Sequence, residues 1–133
     1  MRTRLVVPLV SFASILFLAL SFPANPEGQG PPFEESFDEK TMRVDYYHTG
    51  DASHEVLSLE RVVSDGPWAG SHRRLIDDTN FGKYMFEILD GATGQRLYSR
   101  GFASLYGEWE TTSEAKAMHR TFHESLRFPW PKS

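Results

Sequence analysis

The stretch KYMFEILDGATGQRLYSRGF, Lys83–Phe102, decides the fold. Tyr84, Phe86 and Ile88 recur at every second position, which is the period of a half-buried strand. GATG follows, and its Gly94 can take the positive φ that a tight loop requires. QRLYSRGF then alternates again. Two alternating runs joined by a short glycine loop make a β-hairpin. On a plain alternation Tyr98, Arg100 and Phe102 share one face, mixing charge with core. A glycine inside a strand commonly marks a bulge, so Gly101 is predicted to bend the strand and let Phe102 change faces.

Upstream, TMRVDYYH, Thr41–His48, sets Met42, Val44 and Tyr46 on one face and Arg43, Asp45 and Tyr47 on the other. TGD predicts a turn, and EVLSLERV, Glu55–Val62, a second strand with Leu57 and Leu59 inward. SDGPWAGS, Ser64–Ser71, is expected to be a loop. Downstream, GEW leaves the sheet. Thr111 and Glu114 then fit a Thr-x-x-Glu capping box, which predicts a short helix over Ala115–Met118. Residues 119–127 suit two readings. Ala115, Met118, Phe122 and Leu126 form a helical stripe. Thr121, His123, Ser125 and Arg127 alternate with Phe122, Leu126 and Phe128 as in a strand. We read a short helix and then a strand, since FPWP at the end disfavours helical backbone. The sum is a mainly β, antiparallel, sandwich-like domain with one short helix.

The chain has 133 residues, 40% of them apolar and 14% aromatic, which is a globular composition. It begins MRTRLVVPLVSFASILFLALSF. Two arginines precede an apolar run, and small residues follow at Ala19–Ser21, the pattern of a secretory signal peptide over residues 1–21. An uncleaved membrane anchor is the rival reading, although the run is short for a spanning helix. Either predicts export to the periplasm, the cell surface or the medium, with membrane contact through this segment alone. Residues 22–36, rich in Pro and Gly, read as a linker. The domain then occupies residues 37–133, with folding expected to begin near Phe33. Five strands are few for a closed sandwich, so the domain is expected to be open or to continue beyond this chain.

Net charge is −4. With Arg2 and Arg4 set aside, the 14 basic residues fall to 12 against 18 acidic, a net of −6. Bulk charge of that sign does not attract a phosphate backbone, so nucleic acid is not an expected partner. Zero cysteines exclude disulfides and thiolate chemistry.

No pattern supplies a catalyst. HEVLS, His54–Ser58, begins like His-Glu-x-x-His but has Ser58 where the second zinc ligand belongs. His119 and His123 have helical metal-ligand spacing, but on a strand they lie roughly 13 Å apart. GATGQR lacks the Lys-Ser/Thr of a phosphate loop. The acidic pairs Asp77-Asp78 and Glu34-Glu35 read as solvated charges. No catalytic residue, metal ligand or cofactor is expected. Trp68 and Trp109 are the best candidates for an aromatic ligand platform, with Trp130, Tyr46 and Tyr47 behind them. In a domain this small such residues more often form core.

The blocks KTMRVDYYHTG, SLERVV, FEILD, TGQ-x-LYSRGFAS, GEW and RTF-x-ESLRFPWPK occur in order from about Phe37 to Lys132. Together they resemble the N-terminal domain of the IgA-peptidase family, the sixty-fourth family of metallopeptidases. Tyr98, Gly101, Phe102, Gly107, Glu108 and Trp109 form the most recognisable block. The family's members are exported zinc peptidases found largely in gut Bacteroidetes. The resemblance implies a non-catalytic β-module preceding a zinc-peptidase domain, which would be its partner in the same or a separate chain. A protein or glycan ligand is a further implied partner. In the family His-Glu-x-x-His lies in the later domain, so no catalytic or metal residue carries over to this chain. The alternative is a free-standing exported β-module that binds a glycan or a protein.

Overall fold

The computed structural model describes the backbone of residues 4–8 and, with side chains, residues 31–132. Most of the stretch read as leader and linker lies outside the described residues. Two three-stranded sheets face each other. The first has β2 (Phe37–Gly50) at its centre, flanked by β3 (Glu55–Pro67) and β6 (Arg120–Pro131), both antiparallel to it. The second holds the hairpin of β4 (Tyr84–Leu89) and β5 (Arg96–Phe102). On its far side β4 pairs in parallel with β1 (Arg4–Pro8), which falls within the stretch read as leader. The helices are short: α1 (Phe33–Ser36), α2 (Leu105–Trp109) and a 3₁₀ turn at Glu114–Lys116.

The inward side chains of both sheets make one core. Val44, Tyr46, Leu126 and Phe128 come from the first sheet, and Phe86, Ile88 and Tyr98 from the second. Phe33 and Phe37 extend it, each 2% exposed, so the folded part includes the helical turn before β2. Rings pack at centroid distances near 6 Å, as in Phe86–Phe128 at 5.8 Å and Tyr98–Phe128 at 6.5 Å.

The hairpin forms as its alternation predicts. Gly94 takes φ +70°, and Asp90 Oδ1 accepts hydrogen bonds from the amides of Ala92 and Thr93. The expected bulge at Gly101 is absent. Met85 pairs with Gly101 and Phe86 with Arg100 in unbroken register. The extra residue in β5 is Leu97, between the partners of Ile88 and Leu89. Arg100 therefore does share a face with Tyr98 and Phe102. It resolves the conflict by reaching outward, with Nη2 donating to the Tyr98 hydroxyl at 3.1 Å and the guanidinium 5.5 Å from that ring centroid. Gly101 is small for another reason. A Cβ there would meet Asn80 Oδ1 at 3.0 Å and Asp77 Oδ2 at 3.3 Å.

β3 runs to Pro67, beyond the strand end expected at Val62, because β2 is long enough to keep pairing with it as far as Lys40↔Pro67. Thr41 Oγ1 donates to the Pro67 carbonyl at 2.8 Å. Leu57 is half-buried as expected, but Leu59 is 67% exposed. It pairs with Tyr46 and faces the core side, yet β3 is an edge strand and Leu59 is left uncovered.

The α-helix lies earlier than the capping box predicts. Ser104, extended at φ −120°, caps α2 by accepting the Gly107 amide at 2.9 Å. Tyr106 and Trp109, one turn apart, bury the helix's inner face. Thr111 caps nothing, since its hydroxyl donates to the Glu108 carbonyl. Glu114 instead accepts from Trp109 Nε1 at 2.6 Å and Arg120 Nη1 at 3.0 Å. Residues 120–131 are strand, as read.

Candidate functional site

A buried polar cluster lies inside, where α2 covers the first sheet. His48 on β2 is 1% exposed. Its Nε2 lies 2.9 Å from Glu55 Oε2 at the start of β3. Its Nδ1 lies 3.2 Å from Glu124 Oε2 on β6. Tyr46, two residues earlier on the same face, donates its hydroxyl to Glu124 Oε2 at 2.8 Å. Tyr84 on β4 donates to Glu55 Oε2 at 2.9 Å. Glu124 Oε1 accepts the backbone amide of Tyr106 at 3.1 Å. The Tyr106 ring lies over His48 with centroids 3.9 Å apart, and its hydroxyl donates to the carbonyls of Asp51 and His54. Gly50 makes room for this, since a Cβ there would sit 2.5 Å from that hydroxyl.

An imidazole between two carboxylates is a proton-transfer unit in form. Here its surroundings make it a clamp. Burial and the Glu124 carboxylate push the Tyr46 phenol far up, and burial and Glu55 do the same to Tyr84, so both phenols remain donors. Burial raises the Glu124 carboxyl, but the bonds from His48, the Tyr106 amide and Tyr46 together hold it below the usual glutamate value. Tyr106 closes the ring from above. A shallow cleft of about 230 Å³ touches Glu124 from the Ser104–Leu105 side, and His48 is not among its lining residues.

The outer face of the same sheet carries a charge ladder. Arg127 meets Asp65, Asp65 meets Arg43, and both Arg43 and Arg61 meet Asp45. Arg61 and then Arg43 hold the Asp45 carboxyl below its ordinary value. His123 Nε2 lies 2.6 Å from Glu60, which also accepts from the Tyr47 hydroxyl. Asp45, Glu60 and His123 present ligand atoms within 4.8 Å of one another, a spacing that would suit a cation. The two guanidiniums on Asp45 already supply that charge, and a divalent ion would face both. His119 and His123 do not converge, since His119 faces Asp51 and His123 faces Glu60.

Trp109 is 8% exposed and packs against Tyr106 and Phe122, so it cannot serve as an exposed platform. Trp68 is half-buried, edge-on to Tyr98. Tyr46 is core and Tyr47 is 40% exposed. Glu34 and Glu35 are exposed on α1. Asp77 is no free acid: its carboxylate accepts the amides of Gly101, Thr79 and Asn80 and the Thr79 hydroxyl, which hold it down at about 2. Asp78 lines a surface cleft of about 390 Å³ with Arg74, Thr79 and Arg100. Gly107 lets the Tyr84 ring approach, since a Cβ there would lie 2.7 Å from Tyr84 Cε2. Glu108 sits in the first turn of α2. The His48 cluster left no signal in the sequence, since Glu124 lies 76 positions from His48.

Fold and site together define a small two-sheet β-module in which Tyr46, His48, Glu55, Tyr84 and Glu124 are bonded to one another. Residues 32–133 match the family model described as Peptidase M64 N-terminus, and the chain belongs to that family. No curated protein matches it.

Proposed function

We propose that this chain is an exported, non-catalytic accessory module that stands beside a zinc-peptidase domain and positions it or its substrate. The observation that carries the reading is the match of residues 32–133 to the N-terminal region of a peptidase family. The site geometry supports it. The imidazole–carboxylate cluster is closed over by Tyr106, and the Asp45 cluster is neutralised by Arg43 and Arg61. Uncovered aliphatic side chains on the inner face of β3 supply a surface for packing beside a second domain: Leu59 and Val62 are 67% and 49% exposed. Export is supported by the leader pattern of residues 1–21.

The test is a protein-hydrolysis assay on the purified chain with zinc and with chelator, run beside an M64 peptidase domain with and without the chain. The expected result is no hydrolysis by the chain alone and altered hydrolysis by the peptidase domain in its presence. Zinc-dependent hydrolysis by the chain alone would overturn the reading.

A further inference from the structure

We propose that the edge of β4 opposite β5 is a seat for a donated strand, held by the leader while it is attached and by an extended aliphatic segment of the peptidase domain once it is removed. The proposal deepens the accessory-module reading and rests on it for the donor and for leader removal.

β4 has the burial of an interior strand. Tyr84, Met85, Phe86, Glu87 and Ile88 are all 8% exposed or less. Its one acidic group, Glu87, is paired with Arg96 of β5 at 2.9 Å. With β1 in place its backbone amides and carbonyls are buried and need partners along both edges. β5 serves one edge. The other is served by Arg4–Pro8 in continuous parallel register, from Arg4↔Met85 through Val6↔Glu87 to Pro8↔Leu89. These residues lie inside the leader pattern, upstream of the small residues at Ala19–Ser21. Removal of the leader takes β1 with it and leaves that edge of β4 unpaired between buried side chains.

The present occupant defines the chemistry of its successor. The seat accepts Arg-Leu-Val-Val-Pro, five residues, parallel to β4, held by main-chain bonds. Strand addition of this kind draws affinity from the backbone and selectivity from alternate side chains. The donor is therefore an extended segment rich in β-branched or aliphatic residues. The leader acts as a placeholder that keeps the edge closed until the donor arrives.

The experiment uses the full chain with a specific protease site placed in the Phe22–Pro32 stretch. After folding and cleavage the leader is removed. Hydrogen exchange is then followed at Met85–Ile88, with and without a labelled peptide of residues 3–9, TRLVVPL, whose binding is read by fluorescence anisotropy. The expected result is strong protection before leader removal, a loss of about a hundredfold or more after it, and recovery on peptide binding. Peptides carrying Val6→Pro or Val7→Pro leave the protein untouched. Alternate residues direct their amides to the partner, so one of the two removes a ladder donor and should bind at least about tenfold more weakly. An M64 peptidase domain added in excess should displace the labelled peptide.

No peptide binding, or protection at β4 that survives leader removal, overturns the seat. Dimerisation of the cleaved chain in place of peptide binding assigns the edge to a second copy and overturns the donor. A mass measurement on the exported protein reads leader removal separately. A retained leader overturns the exchange of occupants, whatever the peptide does.

Discussion

Glu124→Gln tests whether the buried cluster is a clamp. The substitution keeps shape and removes charge. Glu124 is 8% exposed at its side chain and accepts three hydrogen bonds, from Tyr46, His48 and the Tyr106 amide. The glutamine carbonyl can still serve the Tyr106 amide. Its NH₂ then faces the Tyr46 hydroxyl and His48 Nδ1. The Tyr46 hydroxyl can accept from it but loses the acceptor of its own O–H, and His48 either strands an Nδ1–H or gives up that proton and accepts. Stranding one or two buried donors costs about 2–4 kcal/mol. That is a large share of the stability of a domain this size, roughly 5–15 kcal/mol. At about 4–8 °C per kcal/mol, Tm should fall by roughly 10–25 °C. The effect has a sign in pH. The Glu124 carboxyl is lowered in the folded protein. Its contribution is present in full above the unfolded glutamate value, about 4.3, and is lost as pH falls through the lowered folded value. Asp51 and Asp77 also titrate at low pH, but both proteins share them and their effects cancel in the difference. Urea unfolding followed by tryptophan fluorescence at pH 7, 5 and 3 should show a gap that narrows in acid, with m unchanged. A gap below about 1 kcal/mol at neutral pH, or one that ignores acid, would refute the clamp.

Trp109→Ala should destabilise by about 3–5 kcal/mol, because it empties a site walled by Tyr106 and Phe122; thermal denaturation checks this, and Trp68→Ala should cost clearly less. Gly101→Ala should cost about 1–3 kcal/mol through contact with Asn80 and Asp77, read by urea midpoint. Gly94→Ala meets nothing within 4 Å, so its penalty of about 1 kcal/mol should come from φ +70° alone, and a Gly94→Asn variant should recover part of it. Asp77→Ala should raise amide exchange at Thr79, Asn80 and Gly101 with little effect at β2, and the wild-type loop should lose its protection only as pH falls toward about 2.

Period-two alternation made β2, the hairpin and β6 legible, because strands with one buried face write that face into every second residue. Residues 119–127 fit two periods. The structure selects the strand, since Leu126 and Phe128 meet the core and His123 and Arg127 meet the outer ladder. The capping-box stretch is a local signal and forms only the 3₁₀ turn at Glu114–Lys116. α2 depends on a tertiary one, the burial of Tyr106 and Trp109, and its local mark is Ser104 ahead of that spaced pair. Leu59 misled because alternation reports which side a residue faces. Whether anything lies opposite depends on the reach of another sheet. The His48 cluster joins three strands, and its members show kinship only when those strands pair.

Two edges of this module differ in a way that bears on how a partner engages it. β3 carries the usual defences against strand addition. An extra residue, Glu60, interrupts its register between Leu59 and Arg61, Gly66 turns the chain at φ +85°, and Pro67 ends it. The same bulge points Glu60 and Arg61 both outward, to His123 and Asp45, so the edge is charged as well as irregular. Bulges, proline and charge all discourage a further strand. β4 has none of these. The irregularity of its hairpin falls on β5 at Leu97, its own register with β1 is unbroken, and its side chains are buried. A partner that meets β3 must therefore meet its inner face, through Leu59 and Val62, whereas one that meets β4 can pair with its backbone. A domain that used both would be fixed by a strand on one sheet and by apolar packing on the other. On the accessory-module proposal, that arrangement would hold a neighbouring peptidase domain in one orientation.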